Sequence, residues 1–430
     1  MLEKRTMFDY LVNKVYEGIS LIQDYRITPE IALPNVIMSS FAMFSLKDAS
    51  LLSFMENAPH RKENLEQVYK IETVPSEQGL RKILDPIHPD ELKATFQSVL
   101  SDEKVAPVLD AHQCFKSLGG YLAIAIDGTG YFCSNKTSCP HCLVKNLKDG
   151  EQYYHQLAGA CIVNADKKTV FPMFGEPITK QDGQQKNDCE YNALKRLVPK
   201  LYGMLPQRRK LLLLDGLFAT GPAIRVILFY CMDFISVIKE GYVLVQAKQL
   251  EEKNQLKRSV WYKDKHIKCT AKWTTGLILN GANQDIKVNY LQYEEVDTRT
   301  NKVIYAGKWI TSLPLKATLV KEFVKTARAR WKIENETFNV LKNQGYNLEH
   351  NYGHGKQYLS SFFAILMMLA FLVDQLTQVL DKNFQKALKA AKTFRDLRQK
   401  VRVLFDLIPC ISMNLIYQII ARDVKLNLSS

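Results

Sequence analysis

Several absences narrow what this 430-residue chain can be. It has no uninterrupted apolar run of the ~20 residues needed to span a bilayer. The longest, LSSFFAILMMLAFLV from Leu359 to Val373, contains two serines and is closed by Asp374, which predicts a buried helix and no membrane partner. The first residues, MLEKRTMFDY, carry charge and no signal-peptide core. The nine cysteines are an odd number, and Cys139-x2-Cys142 has no second such pair. A disulfide framework is therefore not expected; reduced thiols in a cytosol are. No long low-complexity tract appears, and 47% apolar with 10% aromatic residues is a globular composition. Acids are also in short supply, at 44 against 58 Lys and Arg, leaving a formal charge of +14. Such a surplus suits a polyanionic partner, because each neutralised phosphate releases counterions.

A chain of this length predicts two or three domains. Residues 1–112 read as helical, with Ser76 and Pro89 marking helix starts and no clear helix-turn-helix pattern, so DNA binding there stays open. From Gly119 the pattern becomes strand-like: YLAIAIDGTGYF, YYHQLAGACIVNA and TVFPMFGEPI predict an antiparallel meander. A helix follows, with Asn187 and Glu190 at capping-box spacing. Then come the strand KLLLLDGLFA, a helix after Gly221-Pro222, and the strand DFISVIK. Alternation of this kind predicts an α/β layer with a partly parallel sheet over residues 113–245. Residues 246–314 read as a β-rich insertion, 315–380 as the second part of the core, and 381–430 as a basic helical tail.

Three carboxylates stand out. Asp127 and Asp215 each close an apolar strand and precede a glycine, the place where ligands gather in open α/β sheets. Taken singly, either could simply make a turn. Glu334 sits on a helix where Val324, Ala327, Trp331, Phe338 and Leu341 recur at three- and four-residue spacings. A carboxylate on that packing stripe is costly unless paired or bound to metal. Arg330, at i−4, is the pairing alternative. Two strand-end acids facing a helix acid suit hard divalent cations, Mg²⁺ or Mn²⁺, and two such ions serve phosphoryl transfer.

The same residues carry a resemblance. RARWKIENETFNVLKN resembles the third-carboxylate signature of DDE transposases of bacterial insertion sequences, Tyr-x2-Arg-x3-Glu-x6-Lys in one branch. Arg330 and Glu334 fit it; AIDGT, LLLDG, KNDCE and QGYNLEHNYGHG look like further family segments. Ala327 stands where the tyrosine would be, and Lys342 falls one residue late, about 80° around a regular helix from Glu334. The resemblance spans about residues 119–375. It implies a ribonuclease-H-like mixed sheet flanked by helices, with Asp127, Asp215 and Glu334 holding the metals and Arg330 and Lys342 assisting. The activity implied is cleavage at transposon ends and 3′-hydroxyl strand transfer into target DNA. The partners implied are terminal inverted repeats, target duplex and a second copy of the chain, in a bacterial cytoplasm. A nuclease that only cleaves, or a decayed zinc-containing DNA-binding protein, are the alternatives.

Two further groups complete the reading. FCSNKTSCPHC followed by YYHQ offers Cys139, Cys142 and His155, with Cys133 or His141 as a fourth ligand, for a structural Zn²⁺; a pair of reduced cysteines in a hairpin loop is the alternative. LKRSVWYKDKHIKCTAKW interleaves Lys257, Arg258, Lys263, Lys265, Lys268 and Lys272 with Trp261 and Trp273. That mixture serves DNA contact through charge and stacking, or a solvated strand face. His350 and His354, in a turn after the Glu334 helix, are candidates for contact with DNA or for a turn role.

Overall fold

A computed structural model describes residues 5–180 and 186–424, without the side chains of 186–189. The capping expectation at Asn187 therefore lies outside the described residues. The protein is mixed α/β, built on one ten-stranded, mostly antiparallel open sheet. Three strands form the expected meander: β1 (Leu122–Ser134), β3 (Gly150–Val163) and β4 (Phe171–Ile178), with the short β2 (Leu143–Leu147) on the outer edge of β3. On the other side of β1, β5 (Lys210–Leu214) and β6 (Asp233–Val237) run parallel to it, each reached through a helix. β5 is buried at every residue, as its unbroken Leu211–Leu214 run requires of a strand covered on both faces.

The β-rich segment is not a separate body. β7 (Lys257–Tyr262), β8 (Ile267–Asn280), β9 (Asn283–Asp297) and β10 (Lys302–Thr311) form an antiparallel ladder, and β10 pairs with β6, so the ladder extends the same sheet. The helical ends are likewise joined to the core. Leu359–Leu380 is long and apolar enough to cross a membrane, yet 83% of its most apolar stretch is buried inside the protein. Phe44 of the N-terminal helix Leu33–Leu46 packs edge-on against its Phe363, and Lys47 pairs with its Asp374. The C-terminal helices close over the N-terminal ones: Asn64 donates to the carbonyls of Phe405 and Ile408, and Asp9 accepts from the Met413 amide. A helix apolar on every side has to be wrapped, which is why residues 5–112 fold around it and share one continuous core with the sheet.

The Glu334 segment changes geometry along its length. It is α-helical over Val320–Arg328, tightens over Ala329–Trp331 and widens into a π-helix over Ile333–Phe338 before Asn339–Asn343. The expected stripe is altered accordingly. Val324, Ala327, Phe338 and Leu341 are buried, but Trp331 is 45% exposed and the Glu334 side chain 50% exposed. The two lie at the rim of the helix–sheet contact, not within it.

Candidate active site and metal centre

Parallel pairing sets the first two acids side by side. β1 and β5 are in register at Ala125 and Leu213, so Asp127 and Asp215, each two residues further, occupy matching positions on the same side of neighbouring strands. In both, the following glycine amide donates to the carboxylate, at 2.8 Å for Asp127 and 2.7 Å for Asp215. Asp215 also caps the short turn Gly216–Phe218.

The helix acid arrives on the same face. Asp127 pairs across the sheet with Gly159, and the Phe338 ring lies against that glycine; a Cβ there would sit 2.9 Å from the ring. Glycine thus lets the π-helix approach the strands closely enough for Glu334 to meet Asp127. Arg330 bridges them, with Nη1 2.7 Å from Asp127 and Nη2 2.9 Å from Glu334. Opposing effects act on Asp127. Burial and its contact with Glu334 favour the protonated acid, the guanidinium and the Gly128 amide favour the carboxylate, and burial prevails, pushing it up to about 6. Arg330 is therefore both the pairing partner expected for Glu334 and a cation lodged between two carboxyl groups.

The π-helix also changes where Lys342 stands relative to Glu334. A π-turn takes in one more residue than an α-turn. Eight residues from Glu334 to Lys342 thus subtend roughly the angle that seven do in a regular helix, so the 80° displacement expected from sequence does not apply. Lys342 itself pairs with Glu349 at 2.8 Å.

The β-ladder divides the residues expected to contact DNA. Lys257, Arg258, Lys263 and Lys265 are exposed on and beside edge strand β7. Trp261 is half-buried, stacked on Tyr293 with Lys321 over its face. With Lys263, Glu295, Arg328 and Trp331 these line a groove of about 380 Å³. Lys268 is partly covered, and Lys272 pairs with Glu251. Trp273 is 2% exposed: it points into the core from β8 and has no face for a base. His350 is exposed, its ring edge-on to Tyr352.

His354 belongs elsewhere. Cys139, Cys142, His155 and His354 bring one donor atom each within 4.8 Å of one another, a group that could hold a metal ion. Among the described residues this is the one such gathering of three or more Cys, His or acidic side chains. Two positions in the sequence expectation change. Cys133 is exposed and outside the cluster, since it faces away from His155 on β1, and His141 stacks instead on Tyr358 at 5.2 Å. The β2–β3 register brings Cys142, one residue before Leu143, beside His155, one residue after Tyr154. His354 reaches them from a turn nearly two hundred residues along the chain. Its flanking Gly353 and Gly355, at φ +154° and +69°, are a local signal that this turn is built for close approach.

No protein-family model matches the chain, and no curated protein matches it.

Proposed function

We propose that the chain is a DDE-type DNA transposase, in which Asp127, Asp215 and Glu334 hold two divalent cations, Mg²⁺ or Mn²⁺. The observation that carries this reading is the Asp127–Arg330–Glu334 bridge, beside the matching strand-end position of Asp215. Carboxylate oxygens are the donors hard cations take, but among the described residues the three acids are not drawn into one group of donor atoms, so on this reading metal and substrate binding must bring them together. All donors are carboxylate oxygens, the site is partly open to water, and the Arg330 guanidinium already stands where positive charge is needed. Such ions supply acidity to an attacking hydroxyl and neutralise charge on the phosphodiester. A three-strand antiparallel meander continued by two parallel strands supports the ribonuclease-H-like core that the resemblance implies.

The protein's own groups would do the rest. Arg330, released from its carboxylates, donates both guanidinium edges to the scissile phosphate. Lys257, Arg258, Lys263 and Lys321 hold the flanking backbone, and the exposed Trp331 ring receives a base along the groove. Partners on this reading are the inverted repeats, target duplex and a second copy of the chain, in a bacterial cytoplasm. The test is joining of a precleaved 3′-hydroxyl end to plasmid DNA in Mg²⁺. Joining supports a transposase; cleavage without joining supports a nuclease; neither, at any divalent ion, refutes both.

A further inference from the structure

We infer that Cys139, Cys142, His155 and His354 bind a single Zn²⁺, and that this ion clasps the hairpin carrying Asp127 to the turn that follows the Glu334 helix. This goes beyond the transposase reading and does not depend on it.

The geometry singles out the ion. Tetrahedral zinc with bonds of ~2.3 Å to sulfur and ~2.05 Å to nitrogen requires donor separations of roughly 3.8 Å between sulfurs, 3.55 Å between sulfur and nitrogen, and 3.35 Å between nitrogens. Here the sulfurs of Cys139 and Cys142 are 3.8 Å apart. His155 Nε2 lies 3.5 Å and 3.4 Å from them, and His354 Nε2 3.4 Å from Cys142. The two Nε2 atoms are 3.1 Å apart. These are five of the six edges of one tetrahedron, and the sixth, Cys139 Sγ to His354 Nε2, lies within 4.8 Å. Two soft thiolates with two imidazoles, and all four corners taken by protein, make a closed structural zinc site with no open position.

The surroundings complete it. His354 Nδ1 is 2.9 Å from the Gly355 carbonyl, which only an N–H can satisfy. The proton is thus fixed on Nδ1, and the Nε2 lone pair faces the cluster. The Cys139 amide donates to Cys142 Sγ at 3.3 Å, a further polar contact to that sulfur. Tyr131 stacks on His155 and the Phe132 ring lies 4.4 Å from His354, so the site is walled by aromatic rings. On the far side, Asp85 accepts the amides of Lys356 and Gln357 at 2.9 Å and Leu359 at 3.2 Å, pinning the turn that presents His354. The ion is the crosslink between that turn and the loop leaving β1, whose strand bears Asp127.

The test begins with metal analysis of untagged full-length protein purified without chelator, where about one zinc per chain is expected. Cys139→Ser and His354→Ala should each lose that zinc, whereas Cys133→Ser and His141→Ala should keep it. Reconstituting stripped wild-type protein with Co²⁺ should give the intense visible absorption of a tetrahedral site with thiolate ligands, a readout that does not depend on a variant folding. Stripping should accelerate amide exchange at residues 345–358 and around the β1–β2 loop while sparing β5 and β6. Wild-type protein that carries no zinc and gives no tetrahedral Co²⁺ spectrum overturns the site. Zinc lost on Cys133→Ser but kept on His354→Ala overturns the ligand set, and unchanged exchange at 345–358 overturns the clasp.

Discussion

Replacing Asp127 by Asn should stabilise the protein at neutral pH and leave it little changed in acid. The Asp127 acid is pushed up to about 6 from an ordinary value of 3.8, with burial the largest cause. A group whose folded value is raised contributes stability fully present below its unfolded value, lost as pH rises through the folded one. For Asp127 that window runs from 3.8 to about 6. At about 1.36 kcal/mol per unit, the roughly two-unit shift amounts to about 3 kcal/mol, an upper figure because the side chain is partly solvated. Asn keeps the shape and cannot ionise. The Arg330 contact acts on the ionised carboxylate and is already contained in that net shift, so the change with pH follows the titration itself. Thermal unfolding of wild type and Asp127→Asn at intervals from pH 4 to 7.5, without divalent ions, is the assay. The variant's melting temperature should gain steadily on wild type, levelling above pH 6 to 7 at several degrees. Adding Mg²⁺ at pH 7.5 should raise wild type and not the variant. A difference that stays flat from pH 4 to 7.5 would refute the picture of Asp127 and Glu334 pressed together in a half-buried site.

Other consequences are more local. Gly159→Ala would set a Cβ 2.9 Å from the Phe338 ring, so the π-helix must withdraw; a destabilisation of about 1–3 kcal/mol is expected in chemical unfolding, with a larger loss in DNA cleavage than in DNA binding. Alanine at Lys257 or Arg258, exposed on the edge strand, should weaken duplex binding similarly for all sequences and lower the slope of log K against log salt by about 1 each, measured by fluorescence anisotropy. Alanine at Trp273 should instead unfold the β-ladder by about 3–5 kcal/mol, because that side chain is core.

What could be read in the sequence was local. Asp127 and Asp215 were legible because an apolar run ending in Asp-Gly carries its own context, and Arg330 and Glu334 because i and i+4 meet on a helix. The Cys139–Cys142 knuckle and His155 were legible for the same reason, being joined by one hairpin. His354 was not: no spacing rule reaches across 199 residues, and only the Gly-His-Gly turn hinted at close packing. Trp273 is a neighbour of the lysines in sequence but not in space: the alternation of β8 puts it with Cys269 and Ala271 on the face opposite Lys268 and Lys272. The N-terminal helices were legible as helices but not as part of the core, since their union with Leu359–Leu380 is a matter of tertiary packing.

The central claim is that three carboxylates carry metal-dependent chemistry on DNA. Its most direct measurement is strand joining in Mg²⁺ and Mn²⁺, with duplexes made from the DNA that flanks the coding sequence on each side, comparing wild type with Asp127→Asn, Asp215→Asn and Glu334→Gln. The account predicts joining by wild type that vanishes with chelator. Each substitution should lower it at least about a hundredfold, roughly 2.7 kcal/mol of transition-state stabilisation. Joining that survives all three substitutions undiminished would contradict it.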